Sequence, residues 1–153
     1  MSDPLEFTSK SPRYALPLLF AGQAQKEFFV NEAHSLLDLL LHPAIEGETD
    51  LPPSTPKDGE CWLVGSNPSG EWAGHAGEVA ARQAGAWIFA APRDGMRLLD
   101  RSKMQDRYYR GGQWQSASSL TPVTGGTTVD VEARRAIDQL IAALVAGGIL
   151  PTR

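Results

Sequence analysis

The longest regular pattern lies at 22–41, GQAQKEFFVNEAHSLLDLLL, where Phe29, Ala33, Leu36, Leu37 and Leu40 recur at i, i+4, i+7, i+8 and i+11. That spacing lines one side of a 3.6-residue period and predicts an amphipathic helix. Gln25, Lys26, Asn31, Glu32 and Asp38 fill much of the opposite side. Gly22 marks the start and Pro43 the stop, because proline cannot continue the turn and biases the residue before it away from helix. Burying the five stripe residues would contribute about 1–3 kcal/mol each before entropy is subtracted. The stripe is therefore expected to lie against a neighbour. Leu39 and Leu41 sit off it, and a helix apolar on more than one side has two neighbours, a sheet together with another helix or another subunit.

Beyond the helix the period shortens. Pro43, Pro52, Pro53 and Pro56 make a stiff connector with polyproline character. Short runs at 60–64, 78–82, 86–91, 96–100, 106–110 and 113–116 are then separated by turn-rich sequence, which predicts five or six short strands in a small antiparallel meander. Gly111-Gly112 reads as a tight hairpin, since paired glycines tolerate positive φ. A second amphipathic helix is predicted over 130–146, with Ile137, Leu140, Ile141, Leu144 and Val145 as its stripe. Thr128 or Asp130 can cap it, Asp130 and Glu132 suit its positive end, and Gly147-Gly148 ends it before Pro151. Its stripe spans barely two heptads, so it must pack on its own domain or join sister helices.

These elements define an α+β chain in four parts: an N-terminal docking arm at 1–20, a helix plus β-meander at 21–116, a linker at 117–129 and a C-terminal assembly helix at 130–153. The arm is punctuated by Pro4, Pro12 and Pro17 and carries Leu5, Phe7, Tyr14, Leu16, Leu18, Leu19 and Phe20 without a period. Such a segment is ordered by the surface it lies on.

Composition narrows the function. A length of 153 residues, 42% hydrophobic and 21% charged, is that of one modest globular domain, or one small core with arms. A formal charge of −4 argues against a nucleic-acid binder, which needs a basic patch. The arginines between 93 and 110 alternate with Asp94, Asp100 and Asp106 and read as a solvated face. No apolar run reaches the ~18 residues of a membrane span, and the N-terminus lacks a secretory pattern. The single cysteine, Cys61, excludes an internal disulfide framework and reads as a buried inert thiol, so folding in a reducing cytoplasm is expected.

Catalytic patterns are missing. His34, His42 and His75 have no metal-ligand spacing; His34 is expected at a rim, and His42 at the helix end where a cation suits the dipole. GEWAGHAGE lacks the lysine of a phosphate loop. Nothing singles out Glu71 with Glu78, or Asp94 with Asp100, as a pair for glycoside hydrolysis. The chain is therefore expected to be no enzyme and to hold no cofactor or metal. Trp62, Trp72, Trp87 and Trp114, with Tyr108 and Tyr109, all fall between 62 and 114. They are either core bulk or a platform for the apolar faces of sugar rings. Trp87, flanked by Ile88 and Phe89, reads as core; Trp72, among glycines, with Tyr108 and Tyr109, reads as possible sugar contact.

The succession LPLLFAGQAQKEFFVNEA, DGECWLVG, GEWAGHAGEVAA, AWIFAAPRDGM and YYRGGQW, ending in ARRAIDQLIAALVAGGIL, resembles a domain of unassigned function carried by phage-like particles. That family occurs in tail-fibre and head-spike proteins of tailed phages and of alphaproteobacterial gene transfer agents. The resemblance implies a virion structural protein with an attachment or adhesion role, carried on a released particle after synthesis in the cytoplasm. Tail-fibre members continue for hundreds of residues, whereas this chain stops, which points to the base of a head spike. The expected partners are further copies of itself (a pentamer or a trimer), a capsid protein, a fibre protein and cell-surface polysaccharide. Phe29, Leu36, Leu40, Ile137, Leu140, Ile141 and Leu144 are the expected interface. A tail-fibre attachment module, a carbohydrate-binding module contacting cell-surface polysaccharide directly and a particle-borne glycan hydrolase are the alternatives.

Overall fold

The computed structural model describes residues 9–20, 22, 26–120, 125–126 and 130–151. The fold is α+β, with two helices and eight strands in two sheets. The chain divides into two compact units, Met1–Pro92 and Arg93–Arg153. Pro4, Leu5 and Phe7 of the arm, Gln25 of the first helix pattern and the candidate cap Thr128 lie outside the described residues.

In the first unit, helix α1 (Lys26–Leu40) precedes β1 (Ala44–Ile45), β2 (Glu48–Thr49), β3 (Cys61–Val64), β4 (Val79–Gln83) and β5 (Ala86–Ala90). Four of these strands form a sheet in the order β2-β3-β4-β5. The β2–β3 pair is parallel and the other two pairs are antiparallel. The strands expected at 60–64, 78–82 and 86–91 are thus present, each shifted by a residue at one or both ends. The expectation of one antiparallel meander is corrected: there are two sheets, and one pair is parallel. The two-residue strands β1 and β2 lie in and around the proline-rich connector, and two residues are too few to carry a period.

Trp62, Ala80 and Phe89 stand in register across β3, β4 and β5. Val64 and Trp87 share their face, because side chains two apart on a strand point the same way. Trp72, at the end of a short 3-10 turn (Gly70–Trp72), closes this cluster and has no exposed surface. Its ring meets that of Trp87 edge to face, with centroids 5.0 Å apart. The turn that delivers it is held from Asp50, whose carbonyl accepts from the Ser69 N–H and whose Oδ1 accepts from the Asn67 N–H, both at 3.0 Å. The alternate positions Cys61, Leu63, Val79, Ala81 and Ala90 are buried as well. Apolar residues therefore occupy both faces, and the strands read as near-continuous apolar runs.

In the second unit, β6 (Arg97–Asp100), β7 (Gln105–Arg110) and β8 (Gln113–Gln115) run antiparallel in succession, followed by α2 (Val131–Ala146). Gly111 and Gly112 both take positive φ, 60° and 80°, and make the predicted two-residue hairpin between β7 and β8. Asp100 and Arg107 form a buried ion pair at 2.8 Å, and Asp100 Oδ1 also accepts from the N–H and hydroxyl of Ser102. Of the two cap candidates, Asp130 starts α2, its Oδ1 accepting from the Ala133 N–H at 2.9 Å. The turn after α2 is tied to β7. The Asp106 N–H donates to the Gly148 carbonyl at 2.8 Å, and the buried Gln105 Nε2 donates to the carbonyls of Ala117 and Ile149 at 2.6 and 3.0 Å. Among the described residues no helix is long and apolar enough to cross a membrane.

Candidate interaction surfaces

Helix α1 packs its polar side inward and leaves most of the apolar stripe, including the expected interface residues Phe29 and Leu40, exposed. Its buried residues are Glu27, Ser35, Asp38 and Leu39, whereas Phe29 is 76% exposed and Leu37 and Leu40 are 50% and 42% exposed. Leu36 is half-buried, and Leu39, which lies off the stripe, is the leucine that reaches the core. The reason is the arm, whose described part, 9–20, folds back on itself and lies along the polar side of the helix. Asp38 accepts from the Ser11 hydroxyl at 2.6 Å and from the backbone N–H groups of Arg13 and Tyr14 at 3.0 and 2.7 Å. Asn31 brackets Leu19, accepting from its N–H at 2.8 Å and donating to its carbonyl at 3.0 Å. His34 Nδ1–H donates to the Pro17 carbonyl at 2.8 Å. Peptide groups removed from water need partners, and the polar side of α1 supplies them. The apolar row is left outside.

The cation at the end of α1 differs from expectation. His42 is exposed with φ of 43°, and Arg13 supplies the charge instead. Its guanidinium donates to the carbonyls of Asp38, Leu39 and His42 at 2.7, 2.8 and 3.0 Å, where the helix leaves carbonyls without partners and concentrates negative charge. Leu41 extends the outward apolar row, and Phe28 (71% exposed) is a further exposed aromatic off that row at the start of the helix.

Helix α2 is more exposed still. Of its sixteen residues only Ile141 is buried. Val131, Ile137 and Leu140 are 62%, 44% and 61% exposed, and Leu144 is half-buried. An isolated helix of this length is marginal in water.

A third surface lies on the sheet of the second unit. Arg97, Tyr108 and Gln115 form a row across β6, β7 and β8, and Asp106 and Arg110 flank Tyr108 on the same face. Tyr108 is 39% exposed. An open hollow of about 620 Å³ is lined by Asp94, Gly95, Arg97, Tyr108, Tyr109 and Arg110. Tyr109 points to the other face, where its ring meets Trp114 edge to face at 5.2 Å. The three residues read as sugar contacts are therefore not equivalent. Tyr108 is accessible, Tyr109 borders the hollow while its ring packs on Trp114 at the other face, and Trp72 is sealed in the core of the first unit, so it presents no face to a ligand. Trp87, read as the core residue, is only half-buried at that cluster's edge. Glycines flank Trp72 because they shape its turn, a composition easily mistaken for an open loop.

Three of the four carboxylates considered for hydrolysis have other partners. Glu78 pairs with His75 at 2.8 Å, Asp100 with Arg107, and Asp94 Oδ1 accepts from the Gly111 N–H at 3.1 Å. Among the described residues no three His, Cys, Asp or Glu side chains gather as a metal site. Cys61 is a buried thiol.

Fold and surfaces together define a small α+β module whose helices turn apolar rows outward. The chain belongs to the family described as Protein of unknown function (DUF2793), which matches residues 30–115. That span runs from the first turns of α1 to the end of β8, so it holds the Tyr108 surface, while the arm and α2 lie outside it. No curated protein matches the chain.

Proposed function

We propose that the protein is a structural component of a phage-like particle, the base of a head spike that seats on the capsid and receives a fibre. The observation that carries this reading is the pair of outward apolar rows, Phe29, Leu37 and Leu40 on α1 with Leu41 just beyond it, and Ile137 with Leu140 on α2. Contiguous apolar patches beyond a few hundred Å² mark interaction sites, and a closed homo-oligomer is the common way to cover them. Resemblance to particle-borne attachment proteins supports the same role. The test is sedimentation of the purified chain alone and with capsids. The wild type should self-associate and co-sediment, and Phe29→Asp and Leu140→Asp should each weaken one of these associations at least tenfold with an unchanged circular dichroism spectrum. A wild-type chain that stays monomeric and ignores capsids would overturn the reading.

A second reading, contact with cell-surface polysaccharide, is favoured by one specific observation. Tyr108 presents its ring to an open hollow flanked by planar hydrogen-bonding side chains. Both roles fit one particle component, because the apolar helix rows and the Tyr108 hollow are built from different residues.

A further inference from the structure

The hollow beside Tyr108 carries more than an aromatic ring. Arg97 and Arg110 line it with Tyr108, and no hydrogen bond or ion pair within the described residues engages either guanidinium. Arg107, next along the chain, shows the contrast, for it is buried and paired with Asp100. In the hollow two arginines face one aspartate, Asp94, and that carboxylate already accepts from the Gly111 N–H. A smaller hollow of about 280 Å³ adjoins it and shares Arg97 and Tyr108, with Asp106 and Ile149 at its other side. Asp106 flanks Tyr108 on the same face, so across both hollows the two arginines are matched in number by two aspartates. What favours an anion is the pair of unengaged guanidiniums rather than a net charge. Because Arg97 and Tyr108 line both, the two hollows count as one furrow beside Tyr108.

We propose that this furrow binds a carboxylate-bearing oligosaccharide, a chain of uronic-acid residues. The proposal rests on the second reading above and adds the chemical class. A sugar ring can lie with its C–H face on Tyr108, whose π-face carries the negative part of its quadrupole. A guanidinium meets a carboxylate through two parallel N–H···O bonds, a fit that a lone ammonium cannot reproduce. Arg97 stands directly across from Tyr108 in the sheet register and Arg110 two residues along the same strand. Consecutive acidic sugars could therefore each find a cation while one ring rests on the tyrosine. Gln115, opposite Tyr108 on β8, already donates from Nε2 to the Arg110 carbonyl at 3.2 Å, which leaves its amide oxygen for a sugar hydroxyl. A densely charged polyphosphate fits less well, because phosphate neutralisation calls for many basic groups and the furrow offers two.

The test is calorimetric titration of the full chain with tetragalacturonate, with its methyl ester and with a neutral galactose tetrasaccharide. Tetragalacturonate should bind and the ester should bind at least tenfold more weakly. Arg97→Gln with Arg110→Gln should cost at least tenfold for the acid, since hydrogen bonds to charged groups are the stronger ones, and should leave the ester unchanged. Tyr108→Ala should weaken acid and ester alike. Equal binding of all three sugars would overturn the acidic class while leaving the sugar reading intact. Binding of none would overturn both. Binding of sodium citrate or inorganic phosphate as tight as that of the tetrasaccharide would show an anion site that does not read sugar. All three substituted residues are exposed, and an unchanged spectrum confirms that each variant folds.

Discussion

Asp38 shows how one carboxylate can set the orientation of a helix. It is 2% exposed and accepts three hydrogen bonds, all from the arm. Each such bond to a charged acceptor contributes about 1.5–3 kcal/mol in isolation. The sum is not the cost of losing them, because the arm can peel away and return its donors to water. In Asp38→Ala the loss is therefore bounded by the docking energy of the arm. We expect about 1–3 kcal/mol, seen as local opening rather than global unfolding. Limited proteolysis should cut the variant within 9–20 many times faster than the wild type while the sheets stay resistant. Asp38→Asn keeps one acceptor oxygen and should fall between the two. Unchanged cleavage in Asp38→Ala would mean that Asn31 and Arg13 hold the arm without it.

At the scale of elements, the two tight hairpins make a natural comparison. Gly111-Gly112 joins β7 to β8 with both residues at positive φ, and Ala84-Gly85 joins β4 to β5 with φ of 47° and 78°. The left-handed conformation costs an L-residue such as Ala84 about 1–2 kcal/mol, a cost that Asn largely avoids. Ala84→Asn should raise stability by about 0.5–1 kcal/mol in urea titration, and a loss instead would show that the turn is of another type. The same comparison marks what was legible in the residues. Six strands could be placed to within a residue or so because alternation and turn chemistry are local properties. The spacing of Phe29, Ala33, Leu36 and Leu40 likewise identified a helix and its apolar side. Which side would face the core was not legible, since it depends on Asp38 and Asn31 meeting an arm that lies 12 to 27 residues away in sequence. Trp72 was misplaced for the same reason, its burial being a matter of Val64 and Ala80 closing over a turn that looks open locally. For the proposed sugar surface, Tyr108 could be named from the sequence but Arg97 could not, because only the register of β6 on β7 puts them side by side.

On the scale of the whole molecule, folding and the proposed assembly draw on different parts of the C-terminal segment. Leu140 is 61% exposed, whereas Leu150 is 6% exposed and the carbonyls of Gly148 and Ile149 accept from Asp106 and Gln105. Deleting 147–153 removes two acceptors at about 0.5–1.5 kcal/mol each and a buried leucine at about 1.5–3 kcal/mol. It should therefore destabilise the second unit by roughly 3–5 kcal/mol. Leu140→Asp changes an outward residue on a helix already capped by Asp130, and a surface substitution of this kind stays within about 0.5 kcal/mol. Urea unfolding followed by the fluorescence of Trp114 should separate them, with an early transition for the deletion and a nearly unshifted one for Leu140→Asp. If Leu140→Asp alone unfolded the second unit, its side chain would be part of that unit's own core, and α2 would have no apolar surface to spare for a partner. If the two behave as expected, loss of association in Leu140→Asp can be assigned to a missing contact between molecules, because the molecule itself remains folded.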